Sequence, residues 1–595
     1  MNTQGAFLRN RKNRRHQFIL LFCVIITRMS FSEEVKKIIK GEVFEDESAL
    51  TKYSHDASIF EVRPQLVVAP KDAQDIQALV KFANEQRGQN KNVSLTARSA
   101  GTDMSGGPLS ESIILDMTAH FNQVQDVQID PDKQGGFAVV EPGAYYRDFE
   151  KETDRRDLMM PSYPASKGLC TVGGMVANNA GGEKTPAYGK TENYLLELKV
   201  VLADGNEYTI KPLTESELEA KMAEPTFEGG VYKKLYTLIT DNRKLITDAK
   251  PNVTKNSAGY YLWNVVGPAF GRPEDPAAGA DSKFDLCKLF VGSQGTLGII
   301  TQIKFRLVPK KKFSKLLVLF LRPRHMKDLG NIIVELKKHA PETIESYDDN
   351  TLKLAMRFFP DLLKILKPKN MLVMAWHLFP EFWMFLTGGM PKMVIMAEFT
   401  GDDLKDLHAR IHESAEPMKK FGVKIRITAS EEEERQFWVI RRESFSLMRN
   451  KVKDRHSAPC IDDFAVLAEK LPEFLPKLQA ILDKYHFSYG MAGHPGDGNF
   501  HIFPMLKMED PNERAIIPKL SDEVYNLVLE YKGTITAEHN DGLIRTPYLE
   551  KMYGPEVIAL FEQTKKIFDP LGIFNPGKKT GGSLGYSMAH IRKSF

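Results

Sequence analysis

The sequence predicts an α+β fold divided into more than one domain, and three features carry that reading. At 595 residues, with 42% apolar and 27% charged residues, the chain is folded but too long for one hydrophobic core, so roughly two to four domains are expected. From Glu61 onward, short β-rich runs alternate with helical ones. After Pro309-Lys310-Lys311-Lys312 the runs take an order that suits an antiparallel sheet with helices on one face.

The elements follow in chain order. Arg9, Arg11, Lys12, Arg14 and Arg15 precede an apolar run, Phe18 to Thr27, that is too short to span a bilayer. Arg28-Met29-Ser30-Phe31-Ser32 offers no small-x-small cleavage site, so residues 1–28 are read as a non-native or disordered extension to a chain starting near Met29. Residues 29–60 read as an N-terminal helical segment. Within 61–309, Gln65–Ala69, Asn92–Ala97 and Ile113–Met117 read as strands around the amphipathic helix Ala73–Gln86. The pattern continues through the strand Ala138–Glu141, the helix Tyr146–Arg155 and the strand Leu198–Leu202 with its turn Ala203-Asp204-Gly205-Asn206. The Pro/Gly/Ala-rich stretch 267–283 is a surface excursion.

The second unit, 310–530, contains the strand Lys315–Leu321, the helix Lys327–His339, the strand Lys392–Phe399 and the helix Asp403–Phe421. Its hydrophobic stretch Met371–Leu386 is broken by His377, Pro380 and Glu381, which suits a docking or core helix better than a membrane span. Residues 531–580 return to the first unit, and 581–595 read as a tail.

Composition narrows the function classes. Lys plus Arg at 81 against Asp plus Glu at 77 leaves +4, too little charge to argue for nucleic acid as a partner. The four cysteines, Cys23, Cys170, Cys287 and Cys460, are widely spaced without a CxxC pair, so neither a disulfide framework nor a cysteine-ligated iron–sulfur cluster is encoded. A reducing, cytoplasmic setting fits best, with peripheral contact at the inner face of a membrane as an alternative.

Three glycine-rich runs carry the first chemistry. Ala97-Arg98-Ser99-Ala100-Gly101-Thr102-Asp103-Met104-Ser105-Gly106-Gly107 lies between two strands, where small residues let successive N–H groups converge on an anion. The second, Thr171-Val172-Gly173-Gly174-Met175-Val176-Ala177-Asn178-Asn179-Ala180-Gly181-Gly182, adds two carboxamides that can close round a heteroaromatic ring. The third spans Phe290 to Ile300 and includes Gly295, Gly298, Ile299 and Ile300. One such run is an ordinary turn; three in order, each joined to an apolar strand, are hard to explain as loops. Neither a P-loop nor GxGxxG is present, since Lys184 stands where the P-loop needs its first glycine.

The second chemistry lies near the C-terminus. Gly493-His494-Pro495-Gly496-Asp497-Gly498-Asn499-Phe500-His501 and Glu538-His539 bring two imidazoles and a carboxylate to glycine-rich turns, a common donor set for a divalent ion with open positions. The alternative is that the histidines are independent polar residues, but glycine turns flanking three ligand types favour convergence.

These runs resemble the FAD-binding domain of the vanillyl-alcohol-oxidase and p-cresol-methylhydroxylase (PCMH) superfamily, in its FAD-linked D-lactate dehydrogenase and glycolate oxidase FAD-subunit branch. The match extends from about Ser54 to Lys578. The resemblance implies a two-subdomain PCMH-type FAD-binding domain over 61–309 and an antiparallel-sheet cap, or substrate, domain over 310–530. It places the pyrophosphate on Arg98 to Ser105, with Ser99 and Ala100 where glycines are usual. It assigns the isoalloxazine and adenosine contacts to Thr171, Gly173, Gly174, Asn178, Asn179 and Gly181, to Lys255–Tyr260 and to Gly295–Ile300. The flavin is expected to be non-covalent, because the first loop offers Thr102 and Asp103 where covalent members place His or Cys. Asn575 and Lys578 are expected near the flavin.

The resemblance also implies that His494, His501 and Glu538 are metal ligands, zinc first with manganese or iron as alternatives, and that His539 is the base. Asn540 stands where the family has glycine. Arg441, with Lys453 as a second candidate, is expected to clamp the substrate carboxylate. The implied reaction is oxidation of a D-2-hydroxy acid to the 2-keto acid, with D-lactate first and D-2-hydroxyglutarate or glycolate next. Electrons would pass to a quinone, a cytochrome or a separate iron–sulfur partner, and a homodimer is compatible with this reading. The alternatives are a redox-neutral transferase of the alkyl-glycerone-phosphate synthase kind and a non-catalytic flavin subunit of an oxidase complex.

Overall fold

The first sheet shows how local sequence sets the architecture. In the computed structural model, which describes residues 30–132, 134–267, 283–366, 389–451 and 455–594, β1 (Glu42–Phe44), β2 (Leu66–Ala69), β3 (Leu95–Arg98) and β4 (Ile113–Asp116) lie in the order β1-β2-β4-β3. β1 is antiparallel to β2, whereas β2, β4 and β3 run parallel. Helix α1 (Ala73–Gly88) makes the crossover from β2 to β3. Asp72 caps it by accepting from the N–H groups of Gln74 and Asp75. Its Ile76, Leu79, Val80 and Ala83, one helical stripe, pack on Leu66, Val68, Leu95, Ile113 and Leu115.

The second sheet holds β5 (Val124–Ile129), β6 (Gly136–Val140), β7 (Leu158–Met159), β8 (Leu195–Val201), β9 (Glu207–Ile210) and β10 (Ile299–Pro309). Its order is β5-β6-β10-β8-β9 with β7 on β10, and these strands pair antiparallel throughout. Helix α2 (Val172–Asn178) buries Val172, Met175 and Val176 in the same core.

The cap sheet, β11 (Phe313–Leu321), β12 (Thr343–Asp348), β13 (Met393–Gly401), β14 (Lys424–Ile427), β15 (His456–Ser457), β16 (Phe464–Ala465), β17 (Ser488–His494) and β18 (Asn499–Leu506), runs β14-β11-β13-β12-β17-β18-β15, with β16 on β18. Alternation along β11 sends Leu317, Leu319 and Leu321 to one face and Leu316, Val318 and Phe320 to the other. On the first face lie α3 (Leu329–Lys337) and α4 (Leu404–Ala415), the two helices that the sequence predicts, together with α6 (Leu471–Asp483) and α7 (Ile516–Glu530), which it does not. The opposite face carries α5 (Glu431–Lys451) through Phe437 and Trp438. Fully burying such a side chain contributes about 1.5–3 kcal/mol, against about 0–1 kcal/mol for an exposed ion pair, so apolar alternation rather than surface charge fixes the register.

Beyond the cap, α8 (Leu549–Phe568), interrupted at Gly554, inserts Val557, Leu560, Phe561 and Phe568 into the core of the second sheet. Phe574 then bridges to Leu95 of β3. Two expectations change here. The N-terminal segment is not purely helical, because β1 separates the helices Phe31–Lys36 and Glu47–Tyr53 and pairs with β2. The closing residues are not a free tail: Leu584–Ala589 forms a helix and Ile591 bridges to Phe60, because Ile591 finds an apolar site. The 1–28 extension, Met371–Leu386, Lys453 and most of the 267–283 excursion lie outside the described residues.

Candidate active site

The hairpin β17–β18 brings two distant histidines onto one face. Ala492 pairs with His501 and His494 with Asn499, so His494 and His501 are diagonal neighbours on the same side of the ribbon. Their rings meet edge to face at 5.2 Å. Gly498, at φ +64°, closes the turn, and a Cβ there would stand 1.7 Å from the Val466 carbonyl oxygen.

Glu538 completes the group. His494 Nε2 and His501 Nε2 each lie 3.2 Å from Glu538 Oε1. The other ring nitrogens are held from behind, His494 Nδ1 by Glu345 and His501 Nδ1 by the Asp462 backbone carbonyl at 2.6 Å. Such outer partners fix tautomer and ring orientation in metal sites. The donor set therefore fits a divalent ion. A different grouping, Asp463, His501, Glu538 and His539, also has ligand atoms within 4.8 Å of one another. Asp463 is the poorer ligand, because its Oδ2 already accepts from the N–H groups of Ala537, Glu538 and His539, at 2.9, 2.9 and 2.6 Å, and from the Thr536 hydroxyl.

Electrostatics sorts the histidines. Burial lowers His501, leaving a neutral ring suited to ligation. Burial also works against the charged form of His494, but Glu345 outweighs it and raises the ring. At His539 burial is overcome by Asp463 and Asp462, which hold the imidazole up at about 9. Asp462 Oδ2 lies 2.7 Å from His539 Nδ1, leaving Nε2 as the free ring nitrogen. Glu538 is driven well below the usual carboxylate range: burial opposes this, and Lys255 and His494 prevail. Arg545 pairs with Asp462 in a fully buried contact.

One cavity of about 1450 Å³ joins this group to the glycine loops of the first domain. Drug-sized ligands occupy about 300–1,000 Å³, so the space suits a dinucleotide together with a small substrate. Its lining includes Arg98, Ser99, Ala100, Gly101, Thr102, Asp103, Thr171, Gly173, Gly174, Asn178, Gly181, Gly295, Gly298 and Ile300, and also Arg441, His494, His501, Glu538 and His539. At Gly174 and Gly295 an added Cβ would meet no backbone atom, so the space it would fill belongs to the cavity. Thr171 Oγ1 is buried at the same loop with no partner among the described residues. Small residues and unmet polar atoms of this kind fit a phosphate-bearing cofactor.

Besides Lys255–Tyr260, four residues expected to touch the cofactor stand behind the lining. Ile299 alternates away from Ile300 into the core of the first sheet. Asn179 caps α2 in the left-handed conformation, and its Oδ1 accepts from the Glu192 N–H. Ser105 donates its hydroxyl to Asp103 at 2.7 Å. Asn575 donates to the carbonyls of Gly107 and Gln294, at 2.9 and 2.7 Å, and so clasps the first and third loops together. Arg98 reaches the cavity wall, with its guanidinium donating to the carbonyls of Tyr53 and His55.

Arg441, on α5, pairs with Glu345 at 2.9 Å, and its buried Nε has no partner among the described residues. Asp462, Asp463, Glu345, Lys255 and Arg545 were not singled out for these contacts from the sequence. The one usable signal was Asp462-Asp463 inside the apolar run Pro459–Val466, since buried adjacent charges are expensive unless paired.

Comparison with known proteins matches two stretches of the chain. The FAD binding domain family matches residues 64–211, and the family of FAD linked oxidases, C-terminal domain, matches 315–579. A D-2-hydroxyglutarate dehydrogenase of Pseudomonas putida is 27% identical over 545 residues, 91% of this chain and 50% of that protein. The chain thus spans about half the length of the first curated relatives it matches. The glycolate oxidase subunit GlcD of Bacillus subtilis is 26% identical over 92% of this chain and 96% of its own. Among solved structures, 4-ethylphenol oxidase from Gulosibacter chungangensis superposes with a TM-score of 0.62 at 15% identity, covering 93% of this chain and 97% of the other. An alkyldihydroxyacetonephosphate synthase gives 0.59 at 15% identity, covering 90% and 83%. At these identities the structures show the fold alone. The chain thus carries an FAD binding domain followed by the C-terminal domain of FAD linked oxidases, on a fold shared with 4-ethylphenol oxidase and p-cresol methylhydroxylase.

Proposed function

We propose that this protein oxidises a D-2-hydroxy acid to the corresponding 2-keto acid, using non-covalent FAD and a divalent metal ion held by His494, His501 and Glu538. The observation that carries the reading is the convergence of His494 Nε2 and His501 Nε2 on one oxygen of Glu538, beside His539, in the cavity that the glycine loops line. Bound FAD supplies a two-electron acceptor, and the ion, zinc first with manganese or iron as alternatives, supplies a Lewis acid for the substrate hydroxyl. His539 in its neutral form receives the hydroxyl proton at Nε2, since Asp462 occupies Nδ1, so the imidazole held at about 9 must first give up its Nε2 proton. Arg441, on the cavity wall and paired with Glu345 at 2.9 Å, is the cation that holds the substrate carboxylate. Phe503 and Met505 add apolar side chains to the wall of the same cavity.

Cys170 lines the cavity as well, but burial pushes its thiol up to about 12, so it stays protonated and non-nucleophilic, in keeping with unlinked flavin. The relatives' names point to D-2-hydroxyglutarate, glycolate and D-lactate as the substrates to compare. Arg357, on the cavity wall with Arg441, supplies a cation that a dicarboxylate would use, whereas Arg442 is held by Glu183; this moves D-2-hydroxyglutarate ahead of D-lactate. Electrons would leave to a quinone, a cytochrome or an iron–sulfur partner. No helix among the described residues is long and apolar enough to cross a membrane.

The test is anaerobic stopped-flow bleaching of the flavin absorption band with D- and L-forms of these acids, before and after chelation. Bleaching by a D-acid, lost on chelation and in His539→Ala, is expected. A bound flavin that no acid reduces would overturn the reading.

A further inference from the structure

The loop Lys255–Tyr260 resembles a cofactor turn in sequence, yet Lys255 does not face the cavity. Its side chain is 0% exposed, and Nζ lies 3.0 Å from Glu538 Oε2, 3.4 Å from Asp497 Oδ2 and 3.2 Å from the Gly182 carbonyl oxygen. These three partners come from the C-terminal segment, the turn of the cap hairpin and the second glycine loop. One ammonium thus joins both domains immediately behind the histidine–carboxylate group.

The division of labour on Glu538 is chemical. Oε2 is taken by Lys255, whereas Oε1 faces His494, His501 and, at 3.9 Å, His539. A carboxylate held by one oxygen offers only the other to an ion. Of the other acids buried around the same point, Glu345 is paired by Arg441 and Asp462 by Arg545, whereas Glu538 and Asp497 share Lys255 as their ammonium partner. Removing one partner of a buried pair leaves an uncompensated charge, which destabilises far more than the intact pair stabilises.

We propose that Lys255 is a positioning residue that serves as the resident counter-cation of this group: it fixes Glu538 so that a single oxygen is presented to the metal, and it neutralises the carboxylates when the ion is absent. The proposal rests on the metal reading given above. Its consequence is a trade between two cations. Without the Lys255 charge the metal-free protein carries unpaired buried carboxylates, and a divalent ion then contributes more to folding stability than it does in the parent protein.

The experiment compares thermal unfolding of full-length parent, Lys255→Met, Lys255→Gln and Lys255→Arg proteins, each chelated and then given back zinc or manganese, with bound metal measured by elemental analysis. The expected result is a metal-induced rise in Tm roughly twice the parental one in Lys255→Met and Lys255→Gln, while Lys255→Arg behaves as the parent. A purely structural lysine would lower Tm equally with and without metal, and that outcome overturns the proposal. Lys255→Gln keeps a hydrogen-bonding head, so if Lys255→Met does not fold it still decides between charge and shape. A parental rise in Lys255→Gln overturns the counter-cation role while leaving the metal reading intact. Absence of any bound metal or metal-induced shift in the parent protein overturns both.

Discussion

At the scale of single residues, the chemistry hangs on side chains whose partners are far away in sequence. His539 and Glu538 are legible because the Glu-His pair sits beside a glycine-rich turn. Asp463 is not, because what it does depends on backbone groups 74 to 76 positions later. Its Oδ2 gathers three consecutive N–H groups, so it fixes the segment that carries the carboxylate and the imidazole. Hydrogen bonds to a charged acceptor contribute about 1.5–3 kcal/mol each, and an amide in place of the carboxylate cannot serve all three donors equally. Asp463→Asn is therefore expected to lose about 3 kcal/mol of stability by denaturant unfolding and to weaken substrate-driven flavin reduction. A variant as stable as the parent would show that the loop holds itself.

At the scale of elements, what the sequence predicts well is periodicity. The stripe Ile76, Leu79, Val80, Ala83 and the alternation of Leu316 to Leu321 each belong to one element, and each appears as expected. What it predicts less well is which side of a turn faces the cavity: Ile299 and Ile300 are adjacent, and only the strand register distinguishes them. The hairpin β17–β18 gives a sharp contrast between two glycines of similar conformation. Gly498 and Gly295 have φ of +64° and +68°, but a Cβ at Gly498 overlaps the Val466 carbonyl and one at Gly295 meets nothing. Gly498→Ala should cost more than about 3 kcal/mol, since strain and overlap add, whereas Gly295→Ala should cost about 1–2 kcal/mol and chiefly weaken FAD retention. Equal losses in the two variants would mean that the overlap relaxes freely. On α5, Arg441→Lys keeps the charge but not the fork, so kcat/KM is expected to fall about 100-fold, or ~2.7 kcal/mol, with flavin content unchanged. A fall in flavin content instead would place Arg441 in the cofactor site.

At the scale of the whole molecule, the two domains are joined by a second cluster of charge, away from the histidines. Lys184 from the second glycine loop region pairs with Glu342 at the edge of β12, and Arg442 on α5 pairs with Glu183 at 2.5 Å. Glu398 on β13 faces the same group, so three carboxylates share two cations. Burial, with Glu183 as the repelling neighbour and Lys184 opposing, raises Glu398 from 4.5 to about 7. A carboxyl whose folded value exceeds its unfolded value contributes stability that is fully present below the unfolded value and is lost as pH rises through the folded one. Between pH 4.5 and about 7 the unfolded chain releases this proton while the folded protein keeps it, so this group's contribution declines across that window and is flat above it. Other carboxyls titrate nearby, including Asp348 at about 6 and Asp56 at about 7, so the measurement is a difference. Glu398→Gln, neutral at every pH, should gain stability relative to the parent as pH rises through this window, read from denaturant midpoints across the range. A parent-minus-variant difference that stays constant with pH would show that Glu398 is ionised in the folded protein throughout, and that the domain interface accommodates all three negative charges.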